Sequence, residues 1–231
     1  MNTIGLIGGM SWESSAEYYR IINEQVHERL GGVHSARSVM VSVDFAEVEA
    51  LQSAWRWDDA TRMMVAAARQ LEAAGAGCVV ICTSTMHKMA GEVQASVGIP
   101  LLHIADAAAR AVRARGLRRV ALLGTRFTMA EDFYTGRLAR NFGLDVLVPG
   151  AADQEEIHRI IYSELVIGIT TPASRTVFQQ VIGKLAAQGA EGIILGCTEI
   201  GLLVRQSDSP LPLFDTTQIH ARAAVDFALA E

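Results

Sequence analysis

The chain has 231 residues, with 20 Lys+Arg against 25 Asp+Glu, a net charge of −5, and half of its residues are hydrophobic. That length holds one large or two small domains with proper cores, and the acidic balance excludes the basic footprint of a nucleic-acid binder. Three cysteines, Cys78, Cys82 and Cys197, are too few for a disulfide framework and lack zinc-ligand spacing, so no metal is expected.

The N-terminus Met1-Asn-Thr-Ile-Gly-Leu-Ile carries no basic n-region, and no apolar stretch nears the length of a bilayer span. A cytoplasmic location without membrane contact is therefore the default expectation. Lys88 and Lys184 are the only lysines, which leaves a pyridoxal phosphate enzyme little choice for its Schiff base.

In chain order, apolar runs predict strands at 2–7, 38–44, 77–82, 99–103, 118–124, 144–148, 191–196 and 211–214. Helical periodicity fills the intervals at 14–30, 58–74, 86–96, 105–115, 128–141, 152–167, 171–188 and 217–229. Helix 58–74 places Met63, Ala66, Ala67 and Leu71 on one face and Asp58 and Asp59 in its first turn. Strict β/α alternation predicts an α/β fold with parallel sheets covered by helices.

The pattern also repeats. Gly5-Leu-Ile-Gly-Gly-Met-Ser resembles Val120-Ala-Leu-Leu-Gly-Thr-Arg, Leu102-His-Ile-Ala-Asp106 resembles Leu213-Phe-Asp215-Thr, and Cys82-Thr-Ser-Thr pairs with Gly196-Cys-Thr-Glu. These echoes predict two similar Rossmann-like domains related by a pseudo-two-fold, with the active site in the cleft between them. The expected boundaries are 1–100 plus 208–231 for the first domain and 101–207 for the second.

Two strand-tip motifs carry the chemistry. Ile193-Ile194-Leu195 runs into Gly196 and then Cys197-Thr198-Glu199, polar where a core strand would continue apolar. Reacting groups of α/β proteins sit at such strand ends, so Cys197 is the expected catalytic thiol. A helical turn near Glu199 would lower the thiol pKa, and the carboxylate would oppose it. The facing motif, Val79-Val80-Ile81-Cys82-Thr83-Ser84-Thr85-Met86-His87, leaves its register open. Cys82 and Thr83 lie on opposite strand faces, and periodicity does not choose between them. The loop Gly8-Gly9-Met10-Ser11 follows a strand and opens a helix, so its N–H groups could hold a small carboxylate. It is not a dinucleotide fingerprint.

Gly-Gly-Met-Ser-Trp, Thr-x-Thr-Met-His, Gly-Thr-Arg-Phe-Thr-Met and Gly-Cys-Thr-Glu, in this order, resemble the aspartate/glutamate racemase family from Ile4 to His220. The resemblance implies cofactor-independent racemisation of an amino acid, with one residue removing the α-proton and another returning one. It also implies a homodimer. Aligning the family motif Cys-Asn-Thr-x-His on Thr85-Met86-His87 puts the catalytic position at Thr83, as in the Thr/Cys subgroup, with Ser84 replacing asparagine. The expected roles are Cys197 as base and Thr83 as proton donor, giving a kinetic preference for one enantiomer.

Expected substrate contacts are Met10, Ser11, Gln52, Ser84, Thr85, Thr125, Thr128, Thr198 and Glu199. Gln52 reaches in from a polar lid loop at 47–57, and Glu199 either binds the ammonium group or tunes the thiol. His87 reads as a packed or capping histidine, and Asp106 and Asp215 read as helix caps. Glu47, Arg56 and Glu164 stand where related aspartate racemases carry substrate-clamping cations, which favours broad specificity or a neutral substrate such as homoserine. Related cleft chemistries (hydantoin racemisation among them) and a catalytically silent amino-acid binder are the competing functions.

Overall fold

The computed structural model describes residues 1–230. The first apolar run forms β1 (Ile4–Gly8), buried along its whole length as a strand flanked by parallel neighbours should be. It pairs in parallel with β2 (Ser38–Ser42) and with β3 (Cys78–Ile81), Ile4 lying opposite Ser38 and Cys78. Parallel neighbours need crossovers, and helices supply them. These are α1 (Trp12–Leu30), then α2 (Phe45–Ser53) and α3 (Trp57–Ala73). After β3 a 3₁₀ turn, Thr85–Met89, leads into α4 (Ala90–Ala95).

The strand expected at 99–103 is one parallel bridge, Val79 to Leu101, made by Val79 N–H to Pro100 O and Leu102 N–H to Val79 O. Pro100 has no N–H with which to lengthen the ladder. Likewise, most of the expected lid at 47–57 is helix α2. Asp44 accepts the Ala46 N–H at 3.0 Å and caps it.

The next unit begins with α5 (Ile104–Ala114), β4 (Arg119–Leu123), α6 (Arg126–Ala130), α7 (Asp132–Phe142) and β5 (Asp145–Leu147). It continues through α8 (Ala151–Ser163), α9 (Pro172–Ala187), β6 (Gly192–Leu195), α10 (Ile200–Leu203) and β7 (Leu213–Asp215), and α11 (Thr216–Leu229) begins in it and belongs to the first unit from His220 on. The sheet of this second unit is all parallel in the order β5-β4-β6-β7. The first sheet runs β2-β1-β3 with Leu101 bridging onto β3, which is the same order with a shorter fourth strand.

The two compact units are Met1–His103 with the residues from His220 on, and Ile104–Ile219. Residues 208–219, expected in the first domain, belong to the second because β7 pairs with β6 and buries Phe214 beside Leu122 and Ile194. Two expected helices are interrupted. Glu131 takes an extended conformation between α6 and α7. Glu164 breaks the helix after α8 and accepts hydrogen bonds from the Ser174 and Thr171 hydroxyls.

Strand alternation sorts the first core. Val79 and Ile81 face Met64, Leu71 and Met86, while Cys78, Val80 and Cys82 face Tyr18, Ile22 and Ala224. Each fully buried Val, Ile, Leu or Met among them contributes about 1.5–3 kcal/mol. Among the described residues no helix is long and apolar enough to cross a membrane.

One polar pair sits inside that second face. Tyr18 and His220 are both fully buried, with Tyr18 OH 2.9 Å from His220 Nδ1 and His220 Nε2 2.7 Å from the Leu102 carbonyl. A carbonyl only accepts, so Nε2 carries the proton, Nδ1 accepts from Tyr18, and a neutral ring satisfies every contact. Burial pushes the His220 pKa down to about 4, the Leu102 hydrogen bond opposing. Unfolded, this ring binds a proton below about 6.5; folded, it does not until about pH 4, so stability is full above pH 6.5 and falls as pH drops. Urea unfolding at pH 7 and pH 4 should therefore differ by a term on the order of 3 kcal/mol that His220→Gln removes. Parallel pH profiles for the two proteins would contradict it.

Candidate active site

At the C-terminal edge of the first sheet, β1 and β3 stop side by side, the last rung being Cys82 N–H to Ile7 O. Gly9 comes after β1 at φ +93°, and a Cβ there would lie 2.1 Å from the Val43 carbonyl, so only glycine lets the loop pass β2 this closely. The Gly9 N–H donates to Ser15 Oγ at 2.8 Å, and Ser11 Oγ caps α1 by accepting the Ser14 N–H. The Gly9 N–H of the expected anion-holding loop is therefore engaged within the fold. Met10 packs its side chain into the core with Val48, Met64 and Met86. Gln52 is a buried helical residue, its amide 3.3 Å from Met86 Sδ beside the 3₁₀ turn after β3.

The register question at β3 has a geometric answer. Cys82 points into the core with Val80 and Tyr18, and burial drives its thiol pKa far up. Thr83, one residue past the ladder, is partly exposed, and its hydroxyl has no hydrogen-bond partner among the described residues. The buried Ser84 Oγ also lacks a partner, and Thr85 opens the 3₁₀ turn. His87 Nδ1 lies 2.8 Å from the Thr83 carbonyl.

In the second unit, β4 and β6 end together at glycines. Gly196 N–H donates to Leu123 O at 2.6 Å, and a Cβ on Gly124 would meet Gly196 O and the Thr128 side chain, each at 3.2 Å. Thr125 caps α6, accepting the Thr128 N–H, and the two threonine hydroxyls are 3.1 Å apart. Beyond Gly196, the buried Cys197 donates Sγ–H to Glu199 Oε2 at 2.9 Å, and Thr198 Oγ1 donates to the same oxygen at 3.0 Å. Thr217 Oγ1 ties the turn down by donating to Thr198 O.

The structure thus gathers Thr125, Thr128, Cys197, Thr198 and Glu199 at one sheet edge, and Ser11, Gln52, Thr83, Ser84 and Thr85 at the other. Burial raises the Cys197 pKa well above the usual thiol value, and the Glu199 charge and hydrogen bond raise it further; the Glu199 and Thr198 N–H groups only partly oppose this. The short α10 turn does not prevail, so the resting group is a thiol beside a carboxylate.

The chain resembles known proteins along nearly its whole length. A family model described as Asp/Glu/Hydantoin racemase matches residues 7–224. The chain belongs to that family. It is 51% identical to a Yersinia pestis protein crystallised as a candidate Asp/Glu racemase, with a TM-score of 0.92 and full coverage of both chains. An aspartate racemase homologue from Pyrococcus horikoshii is 34% identical at a TM-score of 0.86, again covering both chains fully. The broad specificity amino-acid racemase RacX of Bacillus subtilis is 23% identical over 180 residues, 75% of this chain and 74% of RacX.

Sequence patterning alone does not single out Arg126. It opens α6 directly after Thr125, is exposed, lies 5.2 Å over the Phe127 ring and makes no ion pair among the described residues. Its only signal along the chain is its place in the Gly-Thr-Arg motif, away from the expected clamping positions near 47 and 165. Arg56 is committed to Asp59 at 2.6 Å. Asp106 is no cap: it holds Arg137 through both carboxylate oxygens. Asp215 does cap α11, accepting the Thr217 and Gln218 N–H groups.

Removing the Glu199 charge should lower the Cys197 pKa. Glu199→Gln is expected to speed iodoacetamide alkylation of Cys197 at pH 8, followed by mass-mapped kinetics, because more of the thiol is then thiolate. An unchanged or slower rate would show that the carboxylate does not hold the thiol protonated.

Proposed function

We propose that this family member is a cofactor-independent racemase of aspartate or glutamate, with Cys197 as the base and Thr83 as the opposing proton donor. The hydrogen bond from Cys197 Sγ–H to Glu199 carries the reading. A thiol whose proton is already directed at a carboxylate becomes a thiolate when that proton moves, with Glu199 becoming the neutral acid. The thiolate then takes the α-proton. The buried surroundings that raise the resting pKa also leave the thiolate poorly solvated and therefore basic.

The carbanion takes a proton from the Thr83 hydroxyl, the resulting alkoxide recovers one from water, and the proton held by Glu199 returns to the hydroxide so formed, which restores the resting site. A carbanion of such basicity removes a hydroxyl proton readily, whereas an unassisted hydroxyl abstracts poorly. The two enantiomers have equal free energy, so kcat/KM must be the same in both directions. The asymmetry falls on kcat and KM separately, lower together for the enantiomer that Thr83 must deprotonate.

Arg126 supports an acidic substrate, as the unpaired guanidinium nearest in sequence to the Thr125–Thr128 cap. A neutral substrate such as homoserine is the second reading, favoured by the absence of free cations where Arg56 and Glu164 stand.

Chiral chromatography of both enantiomers in D2O tests the scheme. Cys197→Ser should lose α-deuterium uptake by about 10³-fold, and Glu199→Gln should lose turnover by about 10²-fold. Full exchange in Cys197→Ser rejects the base. Arg126→Ala should raise KM for aspartate and leave neutral amino acids unaffected; equal effects on both classes favour the neutral reading.

A further inference from the structure

The Thr83 hydroxyl stands one residue beyond the sheet, where the ladder no longer orients the chain. β3 ends at Ile81, and residues 82–84 are bends before the 3₁₀ turn. The Cys82 N–H still reaches Ile7 O, and the next backbone bond is His87 N–H to Ser84 O. Between them, the Thr83 carbonyl is held by a side chain, His87 Nδ1 at 2.8 Å. A carbonyl offers no proton, so Nδ1 is the donor.

The imidazole doing this is itself fixed. His87 is 2% exposed, with the His103 ring 4.6 Å away and tilted, and the His220 ring 5.7 Å away edge-on. His220 in turn is locked by Tyr18 OH and the Leu102 carbonyl. Three buried rings on three separate segments thus back the turn that presents Thr83.

We propose that His87 is a positioning residue for Thr83, its Nδ1–H fixing the Thr83 carbonyl and through it the direction of the Thr83 hydroxyl. The link from backbone to hydroxyl is steric. Threonine is branched at Cβ, so its χ1 is restricted once φ and ψ are set. Releasing the carbonyl frees a peptide that neither the ladder nor the 3₁₀ turn restrains. A misplacement of about 1 Å at a proton donor lowers the rate about 10²-fold. The base on the other tip lies outside this turn, so abstraction by Cys197 is not affected.

The inference rests on the reading of Thr83 as proton donor, and the experiment separates the two. The enantiomer deprotonated by Cys197 is incubated in D2O, and α-deuterium uptake with retention is counted against inversion. In His87→Ala, inversion should fall about 100-fold while uptake with retention, in which Cys197 returns the deuteron, stays within about threefold. Asparagine places an N–H where Nδ1 stood, so His87→Asn should recover most inversion, and His87→Gln, whose amide reaches further, should not. This contrast between two polar, similarly sized replacements holds even if the alanine variant folds poorly. Wild-type inversion in His87→Ala, or equal behaviour of His87→Asn and His87→Gln, overturns the proposal. Undiminished inversion in Thr83→Ala overturns the Thr83 reading itself, whereas loss in Thr83→Ala with retention in His87→Ala removes only His87.

Discussion

The Gly196 N–H donates to the Leu123 carbonyl at 2.6 Å, and this final rung between β4 and β6 sets everything beyond it. A Cβ on Gly196 would lie 2.5 Å from a Leu122 methyl and 2.9 Å from the Leu123 carbonyl, so the two strands close to this separation only through glycine. Because the ladder persists to that point and then stops, Cys197 emerges at a fixed height above a rigid sheet. Thr198 and Glu199 then turn back over it. The first unit obeys the same rule at β1 and β3, where Gly9 and the Cys82 rung end the ladder and Thr83 comes next.

The polar residues beyond the two rungs differ, and the difference is chemical. After β6 the polar side chains satisfy one another: Cys197 and Thr198 both donate to a single Glu199 oxygen. Burial and the Glu199 charge hold that thiol's pKa high. After β3 a ring instead binds the Thr83 backbone carbonyl, and the Thr83 hydroxyl has no hydrogen-bond partner among the described residues. One tip therefore carries a thiol with its own acceptor, and the other a hydroxyl on a turn whose backbone carbonyl is held by His87.

Much of this is legible in the residues. Apolar runs ending at Gly8, Gly124 and Gly196 mark the strand tips, because a parallel strand buried on both faces needs an uninterrupted apolar run. Cys197 stands out because polar residues replace the expected continuation of a core. The extent of pairing is harder to read. Pro100 removes a donor and reduces a five-residue strand to one bridge, and Asp44 turns an expected lid into helix α2 by capping it. Glu131 and Glu164 interrupt helices whose periodicity runs straight through them, and the hydroxyls that hold Glu164 sit on the far side of the break.

The sequence by itself determined the alternation of strands and helices, the two echoing halves, and which residue types stand at each tip. These depend on local patterning, which is written along the chain. Only the tertiary structure decided that Cys82 turns into the core beside Tyr18, that the Gly9 N–H and Ser11 Oγ bond to the start of α1, and that burial and the Glu199 charge outweigh the helical turn at the thiol. Each of those outcomes turns on where a ladder stops and what packs behind it. Burial and distance, not residue type, fix the protonation of a thiol and the freedom of a hydroxyl.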